Sequence, residues 1–183
     1  MKIINTPLSA AEIGSLKAGE EVFLNGIIYT ARDQAHKRIV NSLGKGRGKG
    51  RGKGREIPFN LKGAVVYYCG PTQTPKGRII GSCGPTTSSR MDAFTVPLLR
   101  KGLKGMIGKG SRSPEVRAAI KKYRAVYFVT YAGCGALLSR YVKSARKIAY
   151  HDLGPEAVME LKVENFPLVV AIDSLGNDIY ERG

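Results

Sequence analysis

The chain has 183 residues, 43% of them hydrophobic, which is enough to bury one core as a single domain spanning 1–183. No apolar stretch approaches the ~20 residues needed to cross a bilayer, and segment 1–7 lacks the apolar region of a signal peptide, so we expect a cytoplasmic protein without membrane association. The three cysteines, at 69, 83 and 134, exclude a disulfide framework. They form no Cys-x-x-Cys pair, so we interpret them as small buried hydrophobic residues and expect no metal on this chain.

The formal net charge of +16 is typical of proteins that bind nucleic acid. Much of it comes from segment 44–55, which repeats Gly-Lys-Gly-Arg three times and is predicted to be a solvated, disordered loop. One interpretation is a polyanion-binding arm, and the other, which we favour, is a tolerated loop insertion. The segment contains no aromatic residue on which bases could stack, so nucleic acid is disfavoured as the main partner.

Hydrophobic periodicity and turn residues predict alternating helices and strands. In chain order we predict a short helical turn at 8–19, a strand at 21–29, a helix from 33 to 43, strands at 64–69 and 79–80, a helix at 88–99, a strand at 104–108, a helix at 114–123, a strand at 125–130, a helix at 136–141, and strands at 147–150, 157–163 and 168–172. This alternation indicates an α/β fold with a parallel or mixed sheet and covering helices.

Segment 83–94 concentrates anion-binding groups at a turn that leads into the helix predicted at 88–99. Thr86 and Thr87 supply hydroxyls and candidate helix caps, and Arg90 follows within about one turn. Together with the free amides of a helix start, these groups predict a receptor for a carboxylate or phosphate. An ordinary threonine cap with an exposed arginine explains the same spacing equally well.

Two further cations lie where predicted strands end. Arg32 stands at a strand-to-helix junction, with Asp33 at the positive end of the helix. Lys109 lies in a turn between two glycines, from which its ammonium can be aimed into a cleft. The alternatives are a capped helix with a basic face that includes His36, and an ordinary surface lysine. His151 and Asp152 have no partner motif, so we interpret His151 as a structural histidine.

Four motifs in the same order resemble one known family. They are Thr-Ala-Arg-Asp-Gln-Ala-His-Lys-Arg at 30–38, Gly-Pro-Thr-Thr-Ser-Ser-Arg-Met-Asp at 84–92, Gly-Lys-Gly-Ser-Arg-Ser at 108–113, and Asn-Phe-Pro at 165–167 followed by Asp-Ser-Leu-Gly-Asn-Asp at 173–178. The chain resembles the beta subunit of the class I (iron–sulfur) fumarate hydratase and L(+)-tartrate dehydratase family, which corresponds to the C-terminal domain of single-chain members. The likeness covers essentially the whole chain.

The resemblance implies a swivelling β/β/α domain and a hydro-lyase that reversibly hydrates a dicarboxylate. Fumarate and (S)-malate are the expected pair, and tartrate is the alternative, because Ser88 and Ser89 are nearer to the tartrate dehydratase form. The resemblance also implies a four-iron four-sulfur cluster held by a partner alpha subunit, in an alpha2-beta2 assembly that this chain needs for activity.

The resemblance also assigns roles to five residues of this sequence. Arg32, Arg90 and Lys109 would bind the substrate carboxylates, and the base would be the hydroxyl of Thr86 or Thr87. Arginine suits this task because its planar fork matches a carboxylate. A threonine hydroxyl is a weak acid, so a neighbouring cation or hydroxyl would have to lower its pKa.

Overall fold

The computed structural model describes residues 2–44 and 57–181, so the basic loop predicted at 44–55 lies almost entirely outside the described residues. The helices and strands are β1 (Lys2–Asn5), α1 (Ala10–Ser15), β2 (Glu21–Thr30), α2 (Asp33–Gly44), β3 (Val65–Tyr67), a 3₁₀ turn (Ser88–Met91), α3 (Asp92–Arg100), β4 (Gly105–Gly108), α4 (Pro114–Tyr123), β5 (Val126–Val129), α5 (Gly135–Leu138), a 3₁₀ turn (Ser139–Tyr141), β6 (Val142–Ala149), a 3₁₀ segment (His151–Glu156), β7 (Val158–Ile172) and a last 3₁₀ turn (Ile179–Glu181).

The strands form one mixed sheet that closes on itself. Strands β1 to β5 pair in parallel, in that order, while β7 runs antiparallel to β2, β5 and β6. Because β7 has 15 residues, it pairs with β2 along one edge and with both β5 and β6 along the other. The pairings β2–β3–β4–β5–β7–β2 therefore make a closed ring, and the predicted mixed α/β fold is confirmed.

Two apolar cores lie on opposite faces of the parallel strands. Neighbouring residues of a strand point to opposite faces, so Tyr67 and Phe128 enter the core enclosed by the strands, whereas Tyr68 and Tyr127 enter the core beneath the helices. The enclosed core also contains Phe166 of β7. Helices α2, α3 and α4 cover the second core, and the layers are antiparallel strands, parallel strands and helices.

Several predicted elements differ from the structure. Segment 79–80, predicted as a strand, has no strand partner and lies in the crossover between β3 and the 3₁₀ turn at Ser88–Met91. The helix predicted at 88–99 is divided into that 3₁₀ turn and α3, and the helix predicted at 136–141 is divided into α5 and a 3₁₀ turn. The strands predicted at 157–163 and 168–172 are one strand, because the antiparallel pairing with β2 continues past Asn165 and through Pro167.

Strand β1 was not predicted from the sequence. It has four residues, of which only Ile4 is buried, and its parallel pairing with β2 is the interaction that makes it a strand. Among the described residues, no helix has the length and apolar character needed to span a bilayer.

Candidate active site

The candidate site lies at the carboxyl ends of β2, β3 and β4. In parallel sheets, whether open or closed, this edge is the usual place for a ligand, because the strands deliver their following loops to one side. Arg32 follows β2, Gly70 follows β3 and Lys109 follows β4. Segment 86–90 runs alongside them, since the backbone amide of Thr86 donates to the carbonyl of Tyr68 at 2.6 Å.

Thr87 and Lys109 are direct neighbours through their backbones. They form a parallel β-bridge, and the amide of Ser88 donates to the carbonyl of Lys109 at 2.9 Å. The predicted capping role of the two threonines is wrong, because Thr87 precedes the 3₁₀ turn without a side-chain cap, and Met91 is the N-cap of α3. Neither the Thr86 nor the Thr87 hydroxyl makes a hydrogen bond among the described residues, so both remain available to a ligand.

A buried hydroxyl pair fixes the threonine segment against the Lys109 turn. The Ser88 hydroxyl accepts from the Lys109 amide at 3.1 Å and lies 2.8 Å from the hydroxyl of Tyr127, which donates to the carbonyl of Gly110 at 2.7 Å. Burial raises the pKa of Tyr127, so its phenol keeps the proton that it donates. Gly108 makes room for this arrangement, because a Cβ there would lie 2.0 Å from the Ser88 hydroxyl oxygen.

The two arginines of the predicted site meet around one carboxylate. Arg90 donates from Nε and Nη2 to the two oxygens of Asp33, at 3.0 Å and 2.9 Å. Arg32 lies farther away, with its Nε 3.8 Å from Asp33 Oδ2 and its Nη2 3.9 Å from Glu156 Oε1. The Nε of Arg32 is buried and has no hydrogen-bond partner within the described part of the chain. Arg32 therefore keeps donor capacity that an anion can use.

Gly70 and Glu156 set the position of Arg32. A Cβ at Gly70 would lie 3.0 Å from Arg32 Cδ and 3.1 Å from the carbonyl oxygen of Pro155, so only glycine leaves the arginine its place against the backbone. Glu156 accepts the amide of Gln34 at 2.8 Å, which ties the first turn of α2 to the loop that carries Pro155.

His36 is a buried neighbour of Arg32 and does not belong to an exposed basic face. Burial lowers the pKa of His36 to about 4, so its imidazole is neutral at pH 7. A neutral ring with its proton on Nδ1 donates to the carbonyl of Arg32, at 2.9 Å. The prediction of a structural histidine at His151 is wrong, because His151 is exposed. Its neighbour Asp152 accepts two hydrogen bonds from Arg38.

No structural or functional role was predicted for Arg112, although it belongs to the Gly-Lys-Gly-Ser-Arg-Ser motif at 108–113. Its guanidinium is buried and donates to Asp92 at 2.7 Å, to Thr95 at 2.6 Å and to the hydroxyl of Tyr68 at 3.2 Å. It therefore joins the turn after Lys109 to α3 and faces the interior. Nothing in the sequence distinguishes this buried arginine from a surface one.

The cysteines do not offer the donor set that an iron–sulfur cluster requires. Such a cluster binds several neighbouring thiolates. Cys69 and Cys83 are buried, and burial raises the pKa of the Cys83 thiol to about 12, whereas Cys134 is exposed. Among the residues that the structure describes, no three histidine, cysteine, aspartate or glutamate side chains are placed to share a metal ion.

Comparison with known proteins identifies the family. The family model described as fumarase C-terminus matches residues 2–183. The chain belongs to this family. Within the fumarase C-terminus family, the chain is 38% identical, over 181 residues, to a Methanocaldococcus jannaschii protein provisionally named L(+)-tartrate dehydratase subunit beta; the match covers 96% of this chain and 89% of that protein.

Two further relatives show how the fumarase C-terminus family is distributed between subunits and longer chains. The L(+)-tartrate dehydratase subunit beta of Escherichia coli K12 is 31% identical over 183 residues, which cover 97% of this chain and 86% of that subunit. Fumarate hydratase 2 of Leishmania major is 35% identical over 174 residues, which cover 93% of this chain and 29% of that enzyme. The chain thus matches nearly the full length of the beta subunits and less than a third of the longer enzyme.

Proposed function

We propose that this chain is the beta subunit of an iron–sulfur hydro-lyase that reversibly adds water to an unsaturated dicarboxylate, with fumarate and (S)-malate as the expected pair. The observation that carries the proposal is the guanidinium of Arg32, whose buried Nε has no hydrogen-bond partner within the described residues, at the strand edge that also holds Lys109. A buried donor without an acceptor is costly, and a substrate carboxylate would satisfy it.

The cations of the site would recognise the two carboxylates of the substrate. Arg32 and Arg90 both lie within 3.8 Å of the Asp33 carboxylate, and Lys109 is joined by its backbone to Thr87, three residues before Arg90. Removing a proton next to a carboxylate moves negative charge onto that carboxylate. Prepositioned cations stabilise this developing charge more strongly than that of the ground state, and such stabilisation is a large part of many catalytic rate enhancements.

A threonine hydroxyl of the same segment would move the proton. In the dehydration direction, the deprotonated hydroxyl of Thr86 or Thr87 takes the proton from the carbon beside the carboxylate, and the electron pair of that carbon–hydrogen bond forms the double bond as hydroxide leaves. The backbone bridge between Thr87 and Lys109 supports this role, since a lysine brought close to the hydroxyl would favour its ionised form.

The departing hydroxyl calls for a group that the described residues do not supply. The iron–sulfur cluster of this family supplies that chemistry when it is bound, and we propose that the alpha subunit holds it in an alpha2-beta2 assembly. Beta-subunit relatives that match over nearly their full length support the need for a partner. The free thiols of all three cysteines support a cytoplasmic location.

L(+)-tartrate is the second candidate substrate. The two relatives that this chain matches over 89% and 86% of their length are named as tartrate dehydratase subunits. By the family resemblance, Ser88 and Ser89 of the site segment are also nearer to the tartrate dehydratase form. A nucleic-acid-binding module has less support, because Tyr67, Tyr68, Tyr127 and Phe128 of the sheet are buried and offer no face on which bases could stack.

Kinetics of the assembled enzyme test the proposal. The chain is produced together with its alpha subunit under anaerobic conditions, and turnover of fumarate, (S)-malate and L(+)-tartrate is measured. We expect turnover of one of these diacid pairs and a loss of about 10- to 100-fold in kcat/KM for Arg32→Lys, since lysine keeps the charge but loses the fork. The control is Arg146→Lys, because Arg146 is exposed on β6 and paired with Glu160. Absence of turnover with all three diacids, or full activity of Arg32→Lys, would contradict the proposal.

A further inference from the structure

We infer that Asp33 is a positioning residue of the candidate site, which orients the guanidinium of Arg90 beside that of Arg32. The inference rests on the proposed function, in which these arginines bind the substrate carboxylates. From the sequence, Asp33 is predicted only to be a favourable charge at the start of a helix.

The Asp33 carboxylate is shared between the two arginines. Both oxygens of Asp33 accept from Arg90, at 3.0 Å and 2.9 Å, in the planar two-bond arrangement that fixes a guanidinium in direction as well as in distance. The same carboxylate lies 3.8 Å from Arg32 Nε, too far for a hydrogen bond but close enough for attraction. Asp33 is therefore the common neighbour of both arginines.

The Asp33 side chain is more restricted in its position than the side chain of Arg90. Asp33 lies in the first turn of α2, directly after the strand end that carries Arg32, and its side chain is only 24% exposed. The side chain of Arg90 is 50% exposed, and a long, half-exposed side chain without this contact would sample many rotamers. Fixing Arg90 in advance removes an ordering cost from substrate binding.

The ion pair with Asp33 determines which N–H groups of Arg90 remain free for a substrate. The Nε and one Nη2 proton of Arg90 point at Asp33, so a substrate carboxylate must approach Arg90 at its Nη1 side. On Arg32, Nε is free of hydrogen bonds among the described residues. The two arginines thus offer different edges to the two ends of a diacid, and Asp33 determines that difference.

The Asp33→Asn variant of the assembled enzyme tests the inference, with Asp152→Asn as its matched control. Asp152 also binds an arginine of α2 through two hydrogen bonds, Arg38 at 2.8 Å and 2.6 Å, so this control removes an equivalent ion pair elsewhere. We expect Asp33→Asn to raise KM for the diacid and to lower kcat/KM by about 10- to 100-fold, with a melting temperature lowered by no more than a few degrees through loss of the charge at the helix start. The Asp152→Asn enzyme should keep the kinetics of wild type.

Coupling to Arg90 separates positioning from other roles. If Asp33 acts through Arg90, then Asp33→Asn should add little to the kinetic defect of Arg90→Lys in the double variant. A lower KM in Asp33→Asn would overturn the inference, because Asp33 would then be a counter-ion that competes with substrate. A lowered melting temperature with unchanged KM would also overturn it.

The arginine variants distinguish failure of the positioning role from failure of the proposed function. If Arg32→Lys and Arg90→Lys retain full activity, the proposed function itself fails. If these two variants lose activity and Asp33→Asn does not, only the positioning role fails.

Discussion

Thr86 and Thr87 are adjacent in the chain but have different surroundings. The amide of Thr86 is bound to the carbonyl of Tyr68, and its side chain is partly buried. Thr87 is exposed and stands opposite Lys109 in a parallel bridge, in which paired residues point to the same side. Of the two threonines, Thr87 is therefore the one that is both exposed and paired with a lysine, which makes it the better candidate for the base.

We predict that Thr87→Val lowers kcat of the assembled enzyme more than Thr86→Val does. Loss of a catalytic base typically costs about 100- to 10,000-fold in rate. Neither threonine side chain caps a helix, so both variants should melt at the wild-type temperature, as measured by circular dichroism. Thr74→Val, the same change at an exposed threonine outside the candidate site, is the control. A larger loss of kcat in Thr86→Val than in Thr87→Val would show that Thr86, and not Thr87, is the base.

The positions of the site residues were predictable, whereas their contacts were not. Arg32 and Lys109 follow strands that the sequence indicates, so their arrival at one sheet edge follows from parallel pairing. The fork between Arg90 and Asp33 joins residues 57 positions apart, and the sequence contains no signal for it. The buried contacts of Arg112 were missed for the same reason, because they depend on how α3 packs against the turn after Lys109.

At the scale of elements, α2 places two side chains, those of Asp33 and His36, beside Arg32. It begins at Asp33, directly after Arg32, and it buries His36 one turn later against the rings of Tyr68 and Phe94. The carbonyl of Arg32 accepts both the amide and Nδ1–H of His36, so the histidine fixes the backbone that carries the arginine. The ring is neutral while it makes this contact, because burial makes its charged form costly and the nearby charge of Arg112 repels it.

We predict that protonation of His36 destabilises the chain in mild acid. Its pKa is lowered to about 4 by burial, while the unfolded chain titrates near its ordinary value of 6.5. Between these values the unfolded state binds the proton, so stability is present above about pH 6.5 and is lost as pH falls towards 4, by about 2 kcal/mol from pH 7 to pH 5.

Urea unfolding at pH 7 and pH 5 measures this loss. The comparison is with His36→Phe, whose ring fits the aromatic surroundings but does not titrate. Between pH 7 and pH 5, the free energy of unfolding of this variant should fall by about 2 kcal/mol less than that of wild type. Equal losses in both proteins would show that His36 does not carry the effect.

Elements with strong local signals were predicted closely, and those that depend on distant partners were not. Helix α4 begins and ends where predicted, because Ser113 caps it and Pro114 occupies its first turn. The 79–80 segment has the composition of a strand but meets no partner. The break between the 3₁₀ turn and α3 follows from the bridge between Thr87 and Lys109, which holds the start of that segment against β4.

For the whole molecule, closure of the sheet was the feature that the sequence could not supply. Strand β7 pairs with β2 between residues about 140 positions apart, as in Leu24 and Phe166, and it also pairs with β5 and β6. Apolar strand patterns predict burial on both faces but not which strand closes the ring. The family resemblance, in contrast, implied a β/β/α domain, and the layers of the structure agree with it.

Separation of the active site between two chains is the central claim, and cluster reconstitution tests it most directly. The chain alone, and the chain with its alpha subunit, are reconstituted anaerobically with iron and sulfide, and visible absorption and hydratase turnover are recorded for each. We predict no stoichiometric cluster and no turnover for the chain alone, because Cys69 and Cys83 are buried thiols and Cys134 is exposed. Both should appear when the alpha subunit is present. A stoichiometric cluster on this chain alone, with or without turnover, would contradict the account.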